Sequence, residues 1–211
     1  MHLYLIRHGE TFSNAEGRIQ GQTDNPLSPL GERQALATAR SLQSVPVDAL
    51  LASPLARARR TAEILGDEMR LSVETADALM EIHAGVFQGL LWTECEARYP
   101  EAAAAWISED PDFVIPGGES RRQLMQRGTQ ALTEIRSRGF RRVVVVSHGG
   151  VLGAALKGLL HVPAERNPFR LANCAITELA WDSNPVVVRM NDVSHLERLH
   201  ADDGAGRTGD L

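Results

Sequence analysis

Two short apolar runs in this sequence end in the same way, with a histidine that is followed by a glycine. Leu3–Ile6 leads to His8, and Val143–Val146 leads to His148. The second run is a nearly continuous β-branched stretch, which is typical of a central parallel strand buried on both faces. Because ligands bind beyond the carboxyl ends of strands in open α/β sheets, we expect the two histidines to share one pocket.

Predicted strands and helices alternate along the rest of the chain. The other elements are a helix from Pro29 behind a Ser28 cap, a strand over Val47–Ala52, a helix from Ser53 and Pro54 to about Met69, a helix behind a capping box of Ser120 and Gln123, a strand over Arg141–Ser147, a helix over residues 151–160, and a closing pair of strands over Ala175–Trp181 and Val186–Asn191. This alternation predicts a mostly parallel mixed sheet with helices on both faces, an α/β fold of three layers, α/β/α.

The length of 211 residues suits one large α/β domain. We predict a single domain over residues 1–200, with a small cap segment around residues 90–116. There an alanine-rich helical stretch over Tyr99–Trp106 interrupts the alternation. Residues 201–211 are rich in Gly and Asp and are predicted to form a disordered tail.

Composition and charge argue against several classes of function. The formal net charge of −5 argues against a nucleic-acid binder, which normally carries a basic face. No run approaches the ~20 apolar residues of a membrane helix, and the first strand begins where a signal peptide would stand. Cys95 and Cys174 do not form a disulfide framework or a metal motif. We therefore expect a cytoplasmic protein without nucleic-acid or membrane partners, and a homodimer stays open.

The residue types around His8 suit phosphoryl transfer. A neutral imidazole can attack phosphorus and form a phosphohistidine, which divides one difficult displacement into two easier ones. Arg7, Arg57 and His148 are expected to hold the phosphoryl oxygens, because the transition state spreads negative charge over them. Arg59 and Arg60 are expected on the solvated surface of the same helix.

Five segments, in this order, resemble the histidine phosphatase (phosphoglycerate mutase-like) superfamily, in its phosphatase branch. They are RHGET at 7–11 with Asn14 behind it, SPLARA at 53–58 with TA at 61–62, Glu81 ahead of Gly85 and Gly89, GGES at 117–120, and SHGG at 147–150. The similarity extends over residues 2–197. It implies the fold of that superfamily and a phosphomonoester hydrolase for a small phosphorylated metabolite, with Arg57 as a phosphate ligand.

Glu81 is the proton donor and acceptor that the resemblance implies. A leaving alkoxide needs a proton and the attacking water must lose one, and a single carboxyl group can do both in turn. Two other glutamates are rivals for this role. Glu10 is expected to fix the turn after the first strand by hydrogen bonds, and Glu119 is expected to be a supporting group near a helix start.

The loop after the first strand and the turn after the Val143–Val146 strand supply further phosphate-binding predictions: Asn14, Gln20, Gly21 and Gly149, with Gly150 as a further backbone donor. Arg18 is either a second anion ligand or a surface residue, His83 is expected to line the pocket, and His161, His195 and His200 are expected to be surface or structural. No cofactor and no metal site are expected, because no His/Asp/Cys cluster has ligand spacing and no P-loop pattern is present.

Four other functions remain alternatives. A cofactor-dependent phosphoglycerate mutase would need several basic residues in the cap segment, where Leu90–Pro116 carries only Arg98. The segment from Glu81 to Val86 also resembles fructose-2,6-bisphosphatase domains. A non-catalytic phospho-ligand binder would be expected to lack one of the site residues. A phosphohistidine or phosphotyrosine protein phosphatase would need an open pocket. Phosphoserine, 3-phosphoglycerate and ribazole phosphate are further candidate substrates.

Overall fold

The computed structural model describes residues 1–108, 110–197 and 199. Its strands are β1 (His2–Arg7), β2 (Ala49–Ala52), β3 (Val73–Thr75), β4 (Arg142–Ser147), β5 (Ile176–Trp181) and β6 (Pro185–Asp192). Its helices are α1 (Phe12–Glu16), α2 (Pro29–Leu42), α3 (Ala56–Met69), α4 (Trp92–Arg98), α5 (Pro100–Ile107), α6 (Arg121–Ser137) and α7 (Gly149–Leu159). Short 3₁₀ turns lie at 77–79, 85–87 and 194–196.

The six strands form one sheet in the order β3-β2-β4-β1-β5-β6. The pairs β2/β3, β2/β4 and β1/β4 are parallel, and β5 pairs in antiparallel orientation with β1 and with β6. This confirms the predicted mixed, mostly parallel sheet. In the β1/β4 pair, Arg7 lies opposite Ser147, so both strands end at the same level and deliver His8 and His148 side by side.

Alternating residues of the central strands supply two separate cores. Tyr4 and Ile6 of β1 pack with buried residues of α2 and α3 on one face. Leu3 and Leu5 pack with buried residues of α6 and α7 on the other. Because both faces are covered, successive side chains of β1 and β4 are all apolar, which explains the uninterrupted runs in the sequence.

The segment between β3 and α6 contributes a third, smaller core. Phe87, Cys95 and Ile115 are buried there together with Ile19 from the loop after α1. Trp92 of α4 and Trp106 of α5 pack against this cluster. The two helices, which lie in the predicted cap segment, are thereby attached to the chain that follows β1.

Several predicted boundaries need correction. Helix α3 begins at Ala56 and not at Ser53, with Leu55 as its N-cap residue. The Ser53 hydroxyl accepts a hydrogen bond from the Leu55 amide and bonds the ring of His148, so it is committed to the site. The elements α1, β3 and α4 were not predicted. The predicted tail, residues 201–211, lies outside the described residues. No helix in the described part of the chain is long and apolar enough to cross a membrane.

Candidate active site

His8 follows β1 directly and is 3% exposed. Its Nδ1 lies 2.7 Å from the Gly9 carbonyl oxygen, which can only accept, so Nδ1 carries the proton. Its Nε2 then has a lone pair, toward which the Arg57 Nε–H is directed at 3.2 Å. Burial holds the pKa of His8 well below its usual value, and the positive charges of Arg57 and Arg7 lower it further. The imidazole is therefore neutral, with its basic nitrogen at Nε2.

His148 lies directly beside this ring. The two ring centroids are 5.1 Å apart in an edge-to-face arrangement. Its Nε2 lies 2.8 Å from the Ser53 hydroxyl, and its Nδ1 has no hydrogen-bond partner among the described residues. Burial, followed by the charge of Arg57, lowers its pKa well below the usual value. His148 is fully buried and does not line the cavity, so its contact with a phosphoryl oxygen stays a prediction.

Arg57, in the first turn of α3, is the largest fully buried side chain of the described chain. Its Nη atoms donate to the carbonyl oxygens of Gly21 at 2.7 Å and Thr23 at 2.8 Å. Burial lowers its pKa to about 10, while the negative charges of Glu81 and Asp24 act in the opposite direction. The guanidinium is thus charged at neutral pH and links His8 to the loop after α1.

The side chain of Glu81 reaches the N-terminus of α7. Its carboxylate oxygens accept from the amides of Gly150 and Val151, both at 3.0 Å, and from its own neighbour Ile82 at 2.9 Å. A Cβ atom on Gly150 would stand against this carboxylate, so a larger residue here would displace the Glu81 side chain from its present position. The Gly150 amide was predicted to bind phosphate, and in the structure it binds Glu81.

A half-buried ion pair between Arg127 and Glu119 holds the segment of Glu81 in place. Arg127 of α6 donates to the carbonyl oxygens of Ala78 at 3.0 Å, Met80 at 2.8 Å and Glu81 at 3.2 Å. It also contacts both carboxylate oxygens of Glu119, one of which accepts from the His83 amide. The supporting role predicted for Glu119 is confirmed, and Arg127 is a residue that the sequence reasoning missed.

Hydrogen bonds made by side chains hold the loop after β1 in place. Asn14 accepts from the amide and hydroxyl of Thr11 and, at 3.3 Å, from Asn173. Asn173 also donates to the His8 carbonyl at 2.9 Å, a role that no sequence motif indicated. Glu10 accepts from Ser28, which confirms that it fixes the turn.

A cavity of about 420 Å³ lies at this site, and Arg7, His8, Arg57 and Glu81 are among the residues that line it. Arg7, His8, Arg57 and Glu81, which we call the sheet end, lie at strand ends and helix starts. Asn14, Gln20, Gly21 and Gly149, which were predicted to bind phosphate, also line the cavity. Arg7 donates to the Leu171 carbonyl at 2.7 Å.

The opposite side of the cavity, which we call the cap end, consists of Trp92, Trp106, Arg121, Leu124 and Lys157. None of the five was predicted as a site residue. The basic residue that was considered in this segment, Arg98, is exposed, pairs with Glu94 and does not line the cavity. The cations at this end come from α6 and α7 instead.

Other predicted residues lie in the following places. Arg18 lines the cavity but is paired with Glu16 and Glu94. His83 was expected in the pocket and lies outside its lining, where its Nδ1 accepts from the Gly85 amide.

The remaining histidines lie away from the cavity. His195 is structural, bonded to Thr38 and the Cys174 carbonyl, and His161 is exposed. His200 lies outside the described residues. Within the described ranges no group of three or more His, Cys, Asp or Glu side chains is placed to hold a metal ion.

Comparison with known proteins gives three results. The family profile described as “Histidine phosphatase superfamily (branch 1)” matches residues 3–193. The sequence is 36% identical over 211 residues to “Probable phosphoglycerate mutase GpmB” of Erwinia tasmaniensis, covering 96% of this chain and 98% of that protein. It is 39% identical over 204 residues to the “Metal-independent phosphoserine phosphatase” of Arabidopsis thaliana, covering 93% and 84%.

Among solved structures, the mycobacterial glucosyl-3-phosphoglycerate phosphatase in complex with VO3 is similar over the same fold. It superposes with a TM-score of 0.81 at 35% sequence identity, and the match covers 90% of this chain and 98% of that one. Relatives named as phosphatases and relatives named as mutases therefore both match nearly the whole chain.

Proposed function

We propose that this chain, which belongs to the histidine phosphatase superfamily (branch 1) and is a phosphoric monoester hydrolase for a small phosphorylated metabolite, works through a phosphohistidine at His8. The observation that carries the proposal is the state of His8. The ring is buried and neutral, with its proton held at Nδ1 by the Gly9 carbonyl. Its Nε2 lone pair lies beside the buried cation Arg57, where an anionic phosphoryl group would be drawn.

The reaction has two displacements at phosphorus. In the first, Nε2 of His8 forms a bond to phosphorus while the bond to the alcohol oxygen breaks, and the Glu81 carboxyl group gives its proton to that oxygen. In the second, a water oxygen bonds to phosphorus and the nitrogen–phosphorus bond breaks, returning the electron pair to Nε2. The Glu81 carboxylate takes the proton from the water and is restored.

Positive charge at the sheet end stabilises both transition states. Arg57 and Arg7 line the cavity next to His8 and present planar guanidinium groups, which suit phosphoryl oxygens better than a point charge does. Arg57 is held by two backbone carbonyls, so only its Nε–H contact with His8 must give way when Nε2 bonds to phosphorus, and that N–H can then donate to a phosphoryl oxygen.

We infer that the substrate is a phosphorylated metabolite of the size of phosphoserine or a phosphoglycerate. A cavity of about 420 Å³ supports this, and so do the relatives named for phosphoserine and glucosyl-3-phosphoglycerate.

We also propose that the protein works in the cytoplasm. Such metabolites are turned over there, and the two buried free cysteines suit a reducing compartment.

Trapping of the intermediate tests the proposal. Enzyme mixed with ³²P-labelled substrate and quenched in alkali should carry label on His8, because phosphohistidine is stable to base and labile to acid. His8→Ala should abolish the label and lower turnover of p-nitrophenyl phosphate by about 10³-fold or more. His161→Asn is the matched control, because His161 is exposed with φ 55° and asparagine tolerates that conformation.

A chelator is present throughout this assay, because arginines take the place of a metal charge at the sheet end. Turnover should be unchanged by the chelator and inhibited by orthovanadate, which imitates five-coordinate phosphorus. Near-normal activity of His8→Ala, or a complete loss that added metal restores, would contradict the proposal.

A mutase is the second candidate, favoured by the relatives named GpmB and by the cations of the cap end. The two functions differ in whether water or an alcohol takes the phosphoryl group from His8. With 3-phosphoglycerate and a catalytic amount of 2,3-bisphosphoglycerate, a phosphatase releases inorganic phosphate faster than it forms 2-phosphoglycerate. We expect that result, and the reverse order would establish the mutase.

A further inference from the structure

A short series of hydrogen bonds leads from the start of α3 to the second histidine of the site. The amide of Leu55, the N-cap residue of α3, donates to the Ser53 hydroxyl at 3.3 Å. The same hydroxyl lies 2.8 Å from Nε2 of His148. Ser53 and His148 are both 0% exposed, so bulk water reaches neither side chain. Neither displacement at phosphorus described above uses Ser53.

The Ser53 hydroxyl has one proton to donate, and the ring of His148 is the acceptor that the structure offers it. A hydroxyl donates once and accepts up to twice, whereas a backbone amide only donates. Oγ therefore accepts from Leu55, and within the described chain its other partner is Nε2 of His148. If Nε2–H donated to Oγ instead, the hydroxyl proton would be buried without an acceptor, which folded proteins rarely tolerate.

This arrangement decides which nitrogen of His148 carries the proton. Burial, followed by the charge of Arg57, holds the pKa of His148 well below its usual value, so the ring is neutral and has a single N–H. With the lone pair on Nε2, that N–H is on Nδ1. Nδ1 is buried and has no hydrogen-bond partner among the described residues. It is therefore a donor that a ligand can use.

The unpartnered Nδ1 belongs to the ring next to the proposed phosphorylation site. The ring centroids of His8 and His148 are 5.1 Å apart, and His8 lines the cavity. Because Nε2 faces Ser53, Nδ1 lies on the side of the ring away from that hydroxyl. A phosphoryl oxygen has only lone pairs to offer, so it accepts from Nδ1–H and would be repelled by a lone pair at the same place.

The two neighbouring histidines have opposite chemical tasks, and their partners distinguish them. At His8 the Gly9 carbonyl only accepts, so Nδ1 keeps the proton and Nε2 is free to attack phosphorus. At His148 the partner is a hydroxyl that already accepts from Leu55, so it donates to Nε2. The free nitrogen is thus a nucleophile in the first ring and a donor in the second.

We propose that Ser53 is a positioning residue that fixes the tautomer of His148, so that Nδ1–H donates to a phosphoryl oxygen in both displacements. The inference rests on the proposed function and deepens it, because it explains how a neutral histidine stabilises the negative charge of the transition state. The donors of Leu55, Ser53 and His148 all point along the series toward the phosphoryl group, and each bond of such a series strengthens the next.

NMR of the histidine rings measures the tautomer directly. In protein labelled with ¹⁵N at its histidines, correlations between ring nitrogens and ring carbon-bound protons distinguish a protonated nitrogen from one with a lone pair. The signals that disappear in His148→Gln assign the ring. We expect Nδ1–H at His148 in the unsubstituted protein and a gain of the Nε2–H form in Ser53→Ala. A ring protonated at Nε2 in the unsubstituted protein, or a tautomer unchanged by Ser53→Ala, overturns the proposal.

Ser147→Ala is the matched control for this measurement. Ser147 precedes His148 and is also 0% exposed, but its hydroxyl donates to the Leu79 carbonyl at 2.7 Å and not to the ring. Its removal should leave the tautomer of His148 unchanged. The same tautomer change in Ser147→Ala as in Ser53→Ala would mean that any lost hydroxyl perturbs the ring, and it would overturn the specific role of Ser53.

A double-substitution cycle tests whether Ser53 acts through His148. Ser53→Ala should weaken inhibition by orthovanadate about 10-fold, the value of a hydrogen bond to a charged group, and should lower kcat to a similar extent for every phosphomonoester. In the His148→Gln background the same change should have little further effect, because the ring that it positions is absent. Equal losses in both backgrounds would show that Ser53 acts elsewhere and would overturn the proposal.

The two proposals can fail separately. The tautomer is measured in the resting protein without turnover, so Nδ1–H at His148 that depends on Ser53 would keep this assignment even if no label is trapped on His8. Conversely, label trapped on His8 together with Nε2–H at His148 would support the hydrolase mechanism and remove the role of Ser53.

Discussion

The two ends of the cavity are built in different ways. At the sheet end, Arg57 is 1% exposed and His8 is 3% exposed, and both are bonded to backbone carbonyls next to the central strands. At the cap end, Trp92 and Trp106 are half-buried on two short helices that pack on a small separate core. The sheet end is thus fixed by the main cores of the protein, whereas the two tryptophans of the cap end depend on a small core of their own.

This structural difference separates the groups proposed for catalysis from the groups that would decide which substrate is preferred. The groups proposed to act on phosphorus have little freedom, as electrostatic stabilisation of a transition state requires. Trp92 and Trp106, which border another part of the cavity, lie on elements that can change without disturbing the two large cores. Substitutions at the sheet end should therefore change kcat for every substrate, and substitutions at the cap end should change the preference between substrates.

Arg57→Lys gives the largest effect expected for this comparison. Lysine keeps the charge but cannot donate to Gly21, Thr23 and His8 together, so kcat should fall about 10²- to 10³-fold for all phosphomonoesters. Arg59→Lys on the same helix is the control, because Arg59 is exposed and paired with Glu63. A loss confined to one substrate would show that the sheet end also selects.

Glu81→Gln should distinguish between leaving groups. Alkyl phosphates need a proton on the departing oxygen, so their hydrolysis should fall about 10²-fold or more. The loss should be smaller for p-nitrophenyl phosphate, with a burst of nitrophenolate because dephosphorylation of His8 is also slowed. Equal losses for both classes without a burst would remove Glu81 as the acid. Glu63→Gln serves as the control, because Glu63 pairs with Arg59 and does not line the cavity.

Arg127→Met tests whether the support behind Glu81 acts on chemistry. The change removes the bonds to Ala78, Met80 and Glu81, and kcat for an alkyl phosphate should fall about 10-fold with little change in KM. Phosphorylation of His8 by p-nitrophenyl phosphate, measured as the burst rate, should change less. If both rates fall alike while Arg122→Met leaves them intact, Arg127 stabilises the fold and does not position the acid.

The smallest expected effect is the loss of folding stability at acidic pH. The pKa values of His8 and His148 are lowered in the folded protein, so the unfolded chain binds more protons below pH 6.5. The stability that their neutral forms contribute is complete above pH 6.5. It is lost as the pH falls toward their folded pKa values, by up to about 1.4 kcal/mol per pH unit for each histidine.

Urea unfolding between pH 5 and 7 measures this loss. His148→Gln should reduce the slope of stability against pH by the share of one histidine. His161→Asn, at an exposed position whose φ of 55° asparagine tolerates, should leave the slope unchanged. A slope unaffected by His148→Gln would mean that folding does not lower the pKa of His148, and the neutral state assigned to its buried ring below pH 6.5 would be disproved.

Much of the sheet end could be predicted because its determinants are local. A strand that ends in a histidine carries its own signal, and His8 and His148 meet because β1 and β4 pair with Arg7 opposite Ser147. The position of Glu81 came from the resemblance, since its carboxylate is held by amides that lie 69 and 70 residues further along the chain. The start of α3 was predicted three residues early because Ser53 looks like a helix cap and is bonded to His148 instead.

The cap end could not be predicted because its residues act through tertiary packing. Arg121 and Arg122 are adjacent and chemically identical, yet one stacks on Trp106 in the cavity and the other pairs with Asp112 on the surface. Only the rotation of α6 against α5 decides between them. One signal was available: a single lysine within the apolar stretch of α7 is unusual in a chain otherwise rich in arginine.

The position of the tryptophans gives the protein a built-in optical probe. Two of its three indoles, Trp92 and Trp106, border the cavity, while Trp181 lies in β5 and packs with the core on the α6 and α7 side. Indole emission responds to nearby charge, and the Arg121 guanidinium lies directly over Trp106. Ligands that draw this guanidinium away from the ring should change the emission spectrum, so occupancy of the cap end can be followed in the unlabelled protein without any turnover.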